Sequence, residues 1–300
     1  MDAVVFGNAT LDVLCYPVDD VPRHDSLLFE RSAVGPGGCG SNVAVGLARL
    51  GIPTALIACI GSDEPAQFVR SLWRRAGVDE RFVTRVDRPT AISVGLVDSN
   101  AQPRFIHTPN SNAELTVDQV DVDALVTAGA RLLHVGGFFV LPGLFDGRLP
   151  SLLARAQSEG LLTSLDVALS STMADPQPLW DCMDHLDIFL SNLPEAERLT
   201  GESDPAVAAR SLRARGAAAA IVKLGAEGCW AEGADFSGRI PASDVAVVDT
   251  TGAGDAFAAG LLAALLAGED LPAACRAGNA AGARIVQRLG TVAAWFAGEG

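Results

Sequence analysis

Residues 249–255, Asp-Thr-Thr-Gly-Ala-Gly-Asp, combine the residue types needed to bind and transfer a phosphoryl group. The apolar stretch 256–267 follows, which predicts a helix that begins inside the glycine turn. The first N–H groups of a helix lack intrahelical partners and carry partial positive charge, so the backbone of 252–254 can bind an anion. Asp255 could simply cap this helix, or it could take a proton from a hydroxyl group that attacks phosphorus. The segment therefore favours phosphoryl transfer to an alcohol.

A second glycine-rich segment, residues 35–40, fits the pattern G-x-G-x-x-G and precedes a predicted helix. That pattern is typical of dinucleotide sites, so an NAD-dependent oxidoreductase is an alternative. The segment lies well past the first strand, however, and Pro36 removes a backbone donor where a phosphate needs one. The same glycines suit a hydroxyl-bearing ligand better, because Gly37 and Gly38 permit close approach and Asn42 offers both a donor and an acceptor.

Polar residues follow three other predicted strands. Asp12 comes after the first strand and could accept two hydrogen bonds from a sugar diol, or serve only as a turn residue. Asn192 and Glu195 could contact phosphate and hold Mg²⁺ through water, or only begin a helix. Residues 223–228, Lys-Leu-Gly-Ala-Glu-Gly, form a glycine turn suited to a nucleotide, or a simple β-turn.

Composition bounds the class of protein. The chain has 300 residues, 49% hydrophobic and 19% charged, which suits a large α/β domain with a sizeable core. The net charge of −14 disfavours binding to nucleic acid or to an anionic membrane. The six cysteines form no C-x-x-C pair, which indicates reduced thiols. No signal peptide or membrane-spanning run is recognised, so we expect a cytoplasmic location.

Short apolar strands alternate with helices along most of the chain, which predicts a mostly parallel sheet covered on both faces. Strands at 4–7, 55–60 and 132–135 belong to this pattern. Residues 13–34 and 91–107 break it, because they contain alternating strands typical of a small antiparallel sheet. We expect this small sheet to be a lid over a cleft, or alternatively a contact between two copies of the chain in a homodimer.

Two segments together resemble the signatures of the ribokinase-like (PfkB) carbohydrate kinase family. The first is 37–44, with glycines at 51 and 61, and the second is 249–255 with its continuation to Gly260. The resemblance extends over the whole chain, in order. It implies one domain over 1–300, with a three-layer α/β/α fold, a mostly parallel sheet and a small β-sheet lid. It also implies ATP-dependent phosphorylation of a hydroxymethyl group on a small sugar.

The resemblance further implies a role for each candidate residue. It makes Asp255 the catalytic base, and the backbone of Gly252, Ala253 and Gly254 the anion hole. The other implied groups are sugar-binding residues Asp12, Gly37, Gly38 and Asn42; ATP-binding residues Asn192, Lys223, Gly225, Gly228 and Asn279; the Mg²⁺-linked acid Glu195; and a K⁺ site at Asp249 and Thr251 with carbonyls near Ile285, Arg288 and Gly290.

The acceptor is less constrained than the reaction. Ribokinases often carry lysine after the paired glycines, whereas this chain has Cys39, which argues against ribose. No basic cluster marks a sugar-phosphate site, although Arg104 in the expected lid could serve one. We therefore favour an unphosphorylated sugar. A nucleoside kinase would need an aromatic base pocket, which Tyr16 and Phe29 leave open. A noncatalytic sugar or nucleotide sensor is a further alternative.

Overall fold

The computed structural model describes residues 1–169 and 175–297. The prediction of one domain over 1–300 thus includes two segments, 170–174 and 298–300, that lie outside the described residues. Over the described residues, the strands in chain order are β1 (Ala3–Gly7), β2 (Thr10–Tyr16), β3 (Arg31–Gly37), β4 (Thr54–Ile60), β5 (Val83–Arg85), β6 (Ile92–Val97), β7 (Pro103–His107), β8 (Leu132–Gly136), β9 (Leu162–Asp166), β10 (Ile188–Asn192), β11 (Ala219–Lys223), β12 (Cys229–Glu232) and β13 (Ser237–Ile240).

The helices begin and end with the residue types expected at helix termini. The longer ones often have an Asp or Asn before their first turn and end near a glycine, as α2 does between Asp63 and Gly77. The described helices are α1 (Cys39–Arg49), α2 (Glu64–Ala76), α3 (Val122–Thr127), α4 (Leu149–Ser158), α5 (Gln177–Trp180), α6 (Leu193–Thr200), α7 (Pro205–Arg213), α8 (Ala253–Leu266) and α9 (Leu271–Ile285). No helix among the described residues is long and apolar enough to cross a membrane.

The main sheet has nine strands in the order β13-β12-β11-β10-β9-β8-β1-β4-β5. The pairs from β5 to β11 are parallel, and β12 and β13 add antiparallel at one end. Parallel strands end at the same edge of a sheet. The residues that follow β1, β8, β9, β10 and β11 therefore reach one edge, where ligands bind in open α/β folds.

Two apolar cores lie on opposite faces of this sheet. Along β1, Ala3 and Val5 join one core while Val4 and Phe6 join the other. The first core includes residues of α1, α2, α8 and α9, and the second includes residues of α3, α4, α6 and α7. This three-layer α/β/α arrangement confirms the predicted fold class.

A separate four-stranded sheet has the order β3-β2-β6-β7. The pairs β2–β3 and β6–β7 are antiparallel, and β2–β6 is parallel. The small sheet is therefore present as predicted, but it is mixed, and β2 and β3 extend beyond the expected 13–34. Its action as a lid stays a prediction.

Candidate active site

A cavity of about 810 Å³ lies where the small sheet meets the carboxyl edge of the main sheet. This volume falls in the usual range for small-molecule sites. Strands β2, β6 and β7 line it, together with residues that follow β1, β8 and β9 and the start of α8. The lining includes six of the predicted site residues: Asp12, Gly38, Asn42, Thr251, Gly252 and Asp255.

Helix α8 begins at this cavity. The N–H of Ala253 donates to the carbonyl oxygen of Thr250 at 3.2 Å, so the donors left for a ligand are those of its neighbours in the first turn. Within the described chain, no side chain caps its N-terminus, and the N-cap residue Gly252 has a φ of 78°. A Cβ added at Gly252 would lie 2.6 Å from the carbonyl oxygen of Thr291, so the turn requires glycine. The backbone of 252–254 thus lies at the start of a helix beside the cavity, and its binding of an anion stays a prediction.

Asp255 lies in the first turn of α8 and is held by α1. The Nδ2 of Asn42 donates to Oδ2 of Asp255 at 2.7 Å. The Oδ1 of Asn42 is buried without a hydrogen-bond partner among the described residues. A buried amide oxygen without a partner is costly, unless a ligand supplies the donor. The pair thus places a carboxylate at the cavity beside a buried amide oxygen that has no partner among the described residues.

The electrostatic surroundings of Asp255 favour its role as a proton acceptor. Burial raises the pKa of Asp255, and the nearby carboxylate of Asp166 raises it further. The hydrogen bond from Asn42, the charge of Lys223 and the thiol of Cys39 act in the opposite direction. The net direction is upward, which makes this carboxylate more basic than an exposed aspartate.

Lys223, the only lysine of the chain, reaches the start of α8 from the end of β11. Its Nζ lies 3.1 Å from the position that a Cβ on Gly254 would occupy. Its charge also acts on Asp166 and Glu195. The ammonium group therefore adds positive charge where the α8 amides are expected to bind an anion.

Asp12 lies on β2, inside the small sheet. Its carboxylate accepts a 2.5 Å hydrogen bond from the hydroxyl of Thr10. Burial raises the pKa of Asp12 to about 6, although the Thr10 bond lowers it. A Cβ at Gly37 would lie 1.9 Å from the Asp12 carboxyl group, so this glycine makes room for the carboxylate. A Cβ at Gly38 would meet the backbone of Asn8 at 2.7 Å.

Asn192 and Glu195 form a capping box at the start of α6. The Oδ1 of Asn192 accepts from the N–H of Glu195 at 2.8 Å, and Glu195 Oε2 accepts from the N–H of Asn192 at 2.8 Å. This is the helix-start alternative considered from the sequence. The capping box does not occupy Asn192 Nδ2, and the carboxylate of Glu195 also accepts a backbone hydrogen bond from Leu169. Burial raises the pKa of Glu195, which Lys223 opposes.

Two of the remaining predicted nucleotide residues, Gly228 and Asn279, lie at the carbonyl group of Ile240. Asn279 on α9 donates to the carbonyl oxygens of Ile240 and Pro241 at 3.1 and 3.2 Å. A Cβ at Gly228 would lie 2.0 Å from the Ile240 oxygen. Gly225 has a φ of 61° and begins the turn between β11 and β12. These contacts bring the β11–β12 turn, β13 and α9 together.

The predicted monovalent-cation residues bind one another. Oδ1 of Asp249 accepts from the N–H and hydroxyl of Thr251 at 2.9 and 2.6 Å, and Oδ2 accepts from the N–H of Gly290 at 3.0 Å. The carbonyl of Ile285 accepts from the N–H of Arg288. The segments 249–251 and 285–290 are thus adjacent, and the cation site itself stays a prediction.

Asp166 was missed as a candidate. It ends β9 at the same edge as the other polar residues, which is the signal that singled out Asn192 and would have found it. Its Oδ1 accepts from the N–H of Gly137 at 2.6 Å, and its Oδ2 lies 3.5 Å from Nε2 of buried His134. Burial opposes its ionisation, but His134 and Lys223 lower its pKa overall.

Two features bear on the alternatives. Arg104 donates to the carbonyl oxygens of Val18 and Asp19 at 2.9 and 2.8 Å and is not part of the cavity lining. The G-x-G-x-x-G segment 35–40 runs through the end of β3 in the small sheet, and so does not form the turn that directly follows β1.

Known proteins match this chain over nearly its whole length. An uncharacterized sugar kinase of Archaeoglobus fulgidus is 32% identical over 246 residues, covering 82% of this chain and 96% of the relative. The 2-dehydro-3-deoxygluconokinase of Bacillus subtilis is 28% identical over 302 residues, covering 97% and 91%. The structure of aminoimidazole riboside kinase from Salmonella enterica, complexed with aminoimidazole riboside and an ATP analog, matches with a TM-score of 0.78 and 25% identity, covering 98% and 96%. The model of the pfkB family carbohydrate kinases matches residues 2–296, and the chain therefore belongs to this ribokinase-like family of carbohydrate kinases.

Proposed function

We propose that this kinase transfers the γ-phosphoryl group of ATP to a hydroxymethyl group of a small unphosphorylated sugar. The observation that carries the proposal is the pairing of Asp255 with Asn42 at the uncapped start of α8. Helix α8 supplies the anion site and the base. Helix α1 supplies Asn42, whose amide oxygen has no partner among the described residues and would accept from a sugar hydroxyl.

In this mechanism Asp255 accepts the proton of the acceptor hydroxyl as its oxygen attacks the γ-phosphorus. The P–O bond to the leaving diphosphate then breaks, so the charge that develops must be neutralised at the phosphoryl oxygens. The amides of 252–254 and the ammonium group of Lys223 lie where they can do this. Their orientation is fixed before reaction by the positive φ of Gly252 and by the end of β11.

The residues present also fit Mg²⁺. This ion binds proteins through one or two carboxylates and takes its other ligands from water and phosphate. Glu195 has a carboxylate oxygen outside its capping bond, and Asp166 is close enough to influence its pKa. When bound there, the ion would neutralise the phosphate charge.

The aspartate Asp12 would bind the hydroxyls of the sugar. Its burial means that the ionised form lacks solvation, which a diol would replace with two hydrogen bonds. The placement of Arg104 outside the lining supports an unphosphorylated acceptor over a sugar phosphate. A cytoplasmic location, a dimer through the small sheet and a K⁺ requirement remain predictions.

The proposal is tested by ATP consumption with Mg²⁺, with and without K⁺, across free pentoses, hexoses, keto-sugars, sugar phosphates and nucleosides. We expect turnover with an unphosphorylated acceptor, and a 10²- to 10⁴-fold lower kcat in Asp255→Asn. Asn preserves the size of the side chain and its bond to Asn42, and circular dichroism would confirm folding. Near-normal kcat in the folded variant would exclude Asp255 as the base.

A further inference from the structure

The charges around the cavity select against anionic acceptors. The ionisable acids in the described lining are Asp12, Asp175 and Asp255, and that lining contains no lysine or arginine. Lys223 lies outside this lining, at the start of α8, where the phosphoryl group is expected to bind. An anionic sugar would therefore meet the carboxylates of Asp12 and Asp175 with no cation in the described lining to compensate them, which costs free energy in a partly desolvated site. The lining therefore suits an uncharged acceptor.

Three of the remaining lining residues are phenylalanines. We call Phe105, Phe139 and Phe145 the aromatic lining. Phe138 is fully buried behind it, with ring centroids 5.1 Å from Phe139 and 5.2 Å from Phe145 in edge-on geometry. Such packing fixes the rings of Phe139 and Phe145, and Phe145 remains 36% exposed. Phe105, on β7, is 43% exposed. Fixed, exposed aromatic rings inside a cavity suit a flat partner.

The register of the small sheet sets the distance between Asp12, at the sugar site, and Phe105 of the aromatic lining. Asp12 pairs with Ser93 and Ser93 with His107, so these three residues form one row across β2, β6 and β7. Phe105 lies on the same face of β7, two residues from His107. Neighbouring strands are about 4.8 Å apart, so β7 lies roughly 10 Å from β2. A single sugar ring at Asp12 covers roughly half that distance.

Gly95 lets the Phe105 ring lie against the sheet. It pairs with Phe105, and a Cβ at Gly95 would lie 2.8 Å from Cε1 of that ring. Any larger residue would push the ring away. Between Asp12 and Phe105, the hydroxyl of Ser93 and the imidazole of His107 can hydrogen-bond to the edge of a ligand.

We propose that the preferred acceptor is a nucleoside, whose sugar binds at Asp12 and Asn42 and whose uncharged base stacks on the aromatic lining. This inference rests on the proposed kinase function and names its acceptor class. A nucleoside kinase needs an aromatic pocket for the base, and here the aromatic lining supplies it from residues other than Tyr16 and Phe29. The sugar part of the nucleoside carries the hydroxymethyl group of the proposed reaction, and its base adds an apolar part that matches the other end of the cavity.

The first test compares acceptors. Initial rates with ATP and Mg²⁺ would be measured for adenosine, inosine, cytidine, uridine, ribose, fructose and 2-dehydro-3-deoxygluconate. We expect kcat/KM for the best nucleoside to exceed that of every free sugar by at least roughly 100-fold, through stacking of the base. A free sugar or sugar acid used as well as any nucleoside would overturn the inference.

The second test removes one ring. Phe105→Ala should lower kcat/KM for the best nucleoside by roughly 10- to 100-fold and change that for ribose by less than threefold. Phe68→Ala is the matched control, because Phe68 is 42% exposed on α2 and outside the lining. Equal losses for nucleoside and ribose in Phe105→Ala would contradict the stacking role.

Calorimetric binding of the same nucleosides separates this inference from the proposed function. Nucleoside binding that Phe105→Ala weakens, with no phosphorylation of any acceptor, would contradict the kinase proposal, and it would overturn the inference because the nucleoside would then be a ligand and not an acceptor. Phosphorylation of ribose or fructose that depends on Asp255, with no nucleoside binding, would support the kinase proposal and overturn the inference.

Discussion

Helices α6 and α8 both begin with residues that sequence motifs marked as functional, but the two helix starts are built in opposite ways. At α6, Asn192 and Glu195 satisfy each other's backbone N–H groups. At α8, Gly252 turns the chain and no described side chain caps the helix. The capping box at α6 thus uses two backbone N–H groups, whereas at α8 the N–H of Ala253 bonds the carbonyl of Thr250 and no side chain takes part.

The difference shows how a protein separates stability from function at the same kind of element. A capped helix start contributes about 1 kcal/mol to stability. An uncapped one forgoes that contribution and becomes an anion site. Helix α9, which packs beside α8, follows the first pattern, because Asp270 accepts from the N–H of Ala273 at 2.8 Å. The convergence of an uncapped start, a base and a cavity at α8 is therefore specific.

Among changes that distinguish the two helix starts, the largest effect is expected from Gly252→Ala. The added Cβ would lie 2.6 Å from the Thr291 oxygen, at a φ of 78° that disfavours alanine. The turn must move, and the donors of α8 would move with it. We expect kcat/KM to fall by at least roughly 100-fold, since misplaced catalytic groups lose about that much.

Gly268→Ala is the matched control at the other end of α8. Gly268 has a φ of 87°, and nothing lies within 4 Å of an added Cβ. It should lower the melting temperature through backbone strain alone, while kcat/KM stays within threefold. If both variants lose activity equally, the loss reflects the stability of α8 rather than the geometry of its N-terminus.

A smaller effect is expected from Glu195→Gln at α6. Glutamine can maintain the capping box, as Gln119 does with Thr116 elsewhere in this chain. The substitution therefore removes charge while the cap is retained. If Glu195 supports Mg²⁺, the Mg²⁺ concentration for half-maximal activity should rise roughly tenfold, with kcat at saturating Mg²⁺ less affected.

Glu197→Gln on the same helix serves as the control, since Glu197 is exposed and takes no part in the box. It should leave the Mg²⁺ requirement unchanged. An unchanged requirement in Glu195→Gln as well would mean that α6 contributes only its cap, and the contrast with α8 would then be complete.

Much of the scaffold could be predicted because its signals are local. The apolar runs of β1 and β4 predict strands buried on both faces, and the glycine-rich residues 249–255 predict the start of α8. The small sheet was also recognisable from alternation, but its parallel β2–β6 pair was not. That pairing joins segments about 80 residues apart, and hydrophobic alternation alone does not specify the partner or its direction.

The acceptor end of the site was harder to predict for the same reason. Phe105 comes from the small sheet, while Phe139 and Phe145 follow a strand of the main sheet. Their common cavity arises only from tertiary packing. Asp166 was overlooked although it ends β9, because it lacks a motif and its neighbours His134 and Lys223 are distant in sequence.

The smallest effect concerns Asp12, a carboxylate buried without the backbone donor that Glu195 has. Its pKa of about 6 lies above the unfolded value of 3.8, so the folded state holds its proton more tightly. Ionisation of Asp12 therefore costs stability as the pH rises from about 4 to about 6, and the cost is constant above that range. The full cost is up to about 3 kcal/mol at pH 7.

Asp12→Asn removes this cost, so its melting temperature relative to the native chain should rise by a few degrees between pH 4 and pH 7. Thermal melts without ligand at the two pH values would measure this, and binding of the acceptor should weaken at the same time. Asp63→Asn should behave oppositely. Burial raises the pKa of Asp63, but hydrogen bonds from Thr90 and Ala66 lower it overall, so its ionised form is stabilising at pH 7 and this contribution is lost as the pH falls. An Asp12→Asn variant whose relative melting temperature stays flat with pH would mean that Asp12 is already solvated, and that it does not depend on a bound sugar to complete its hydrogen bonds.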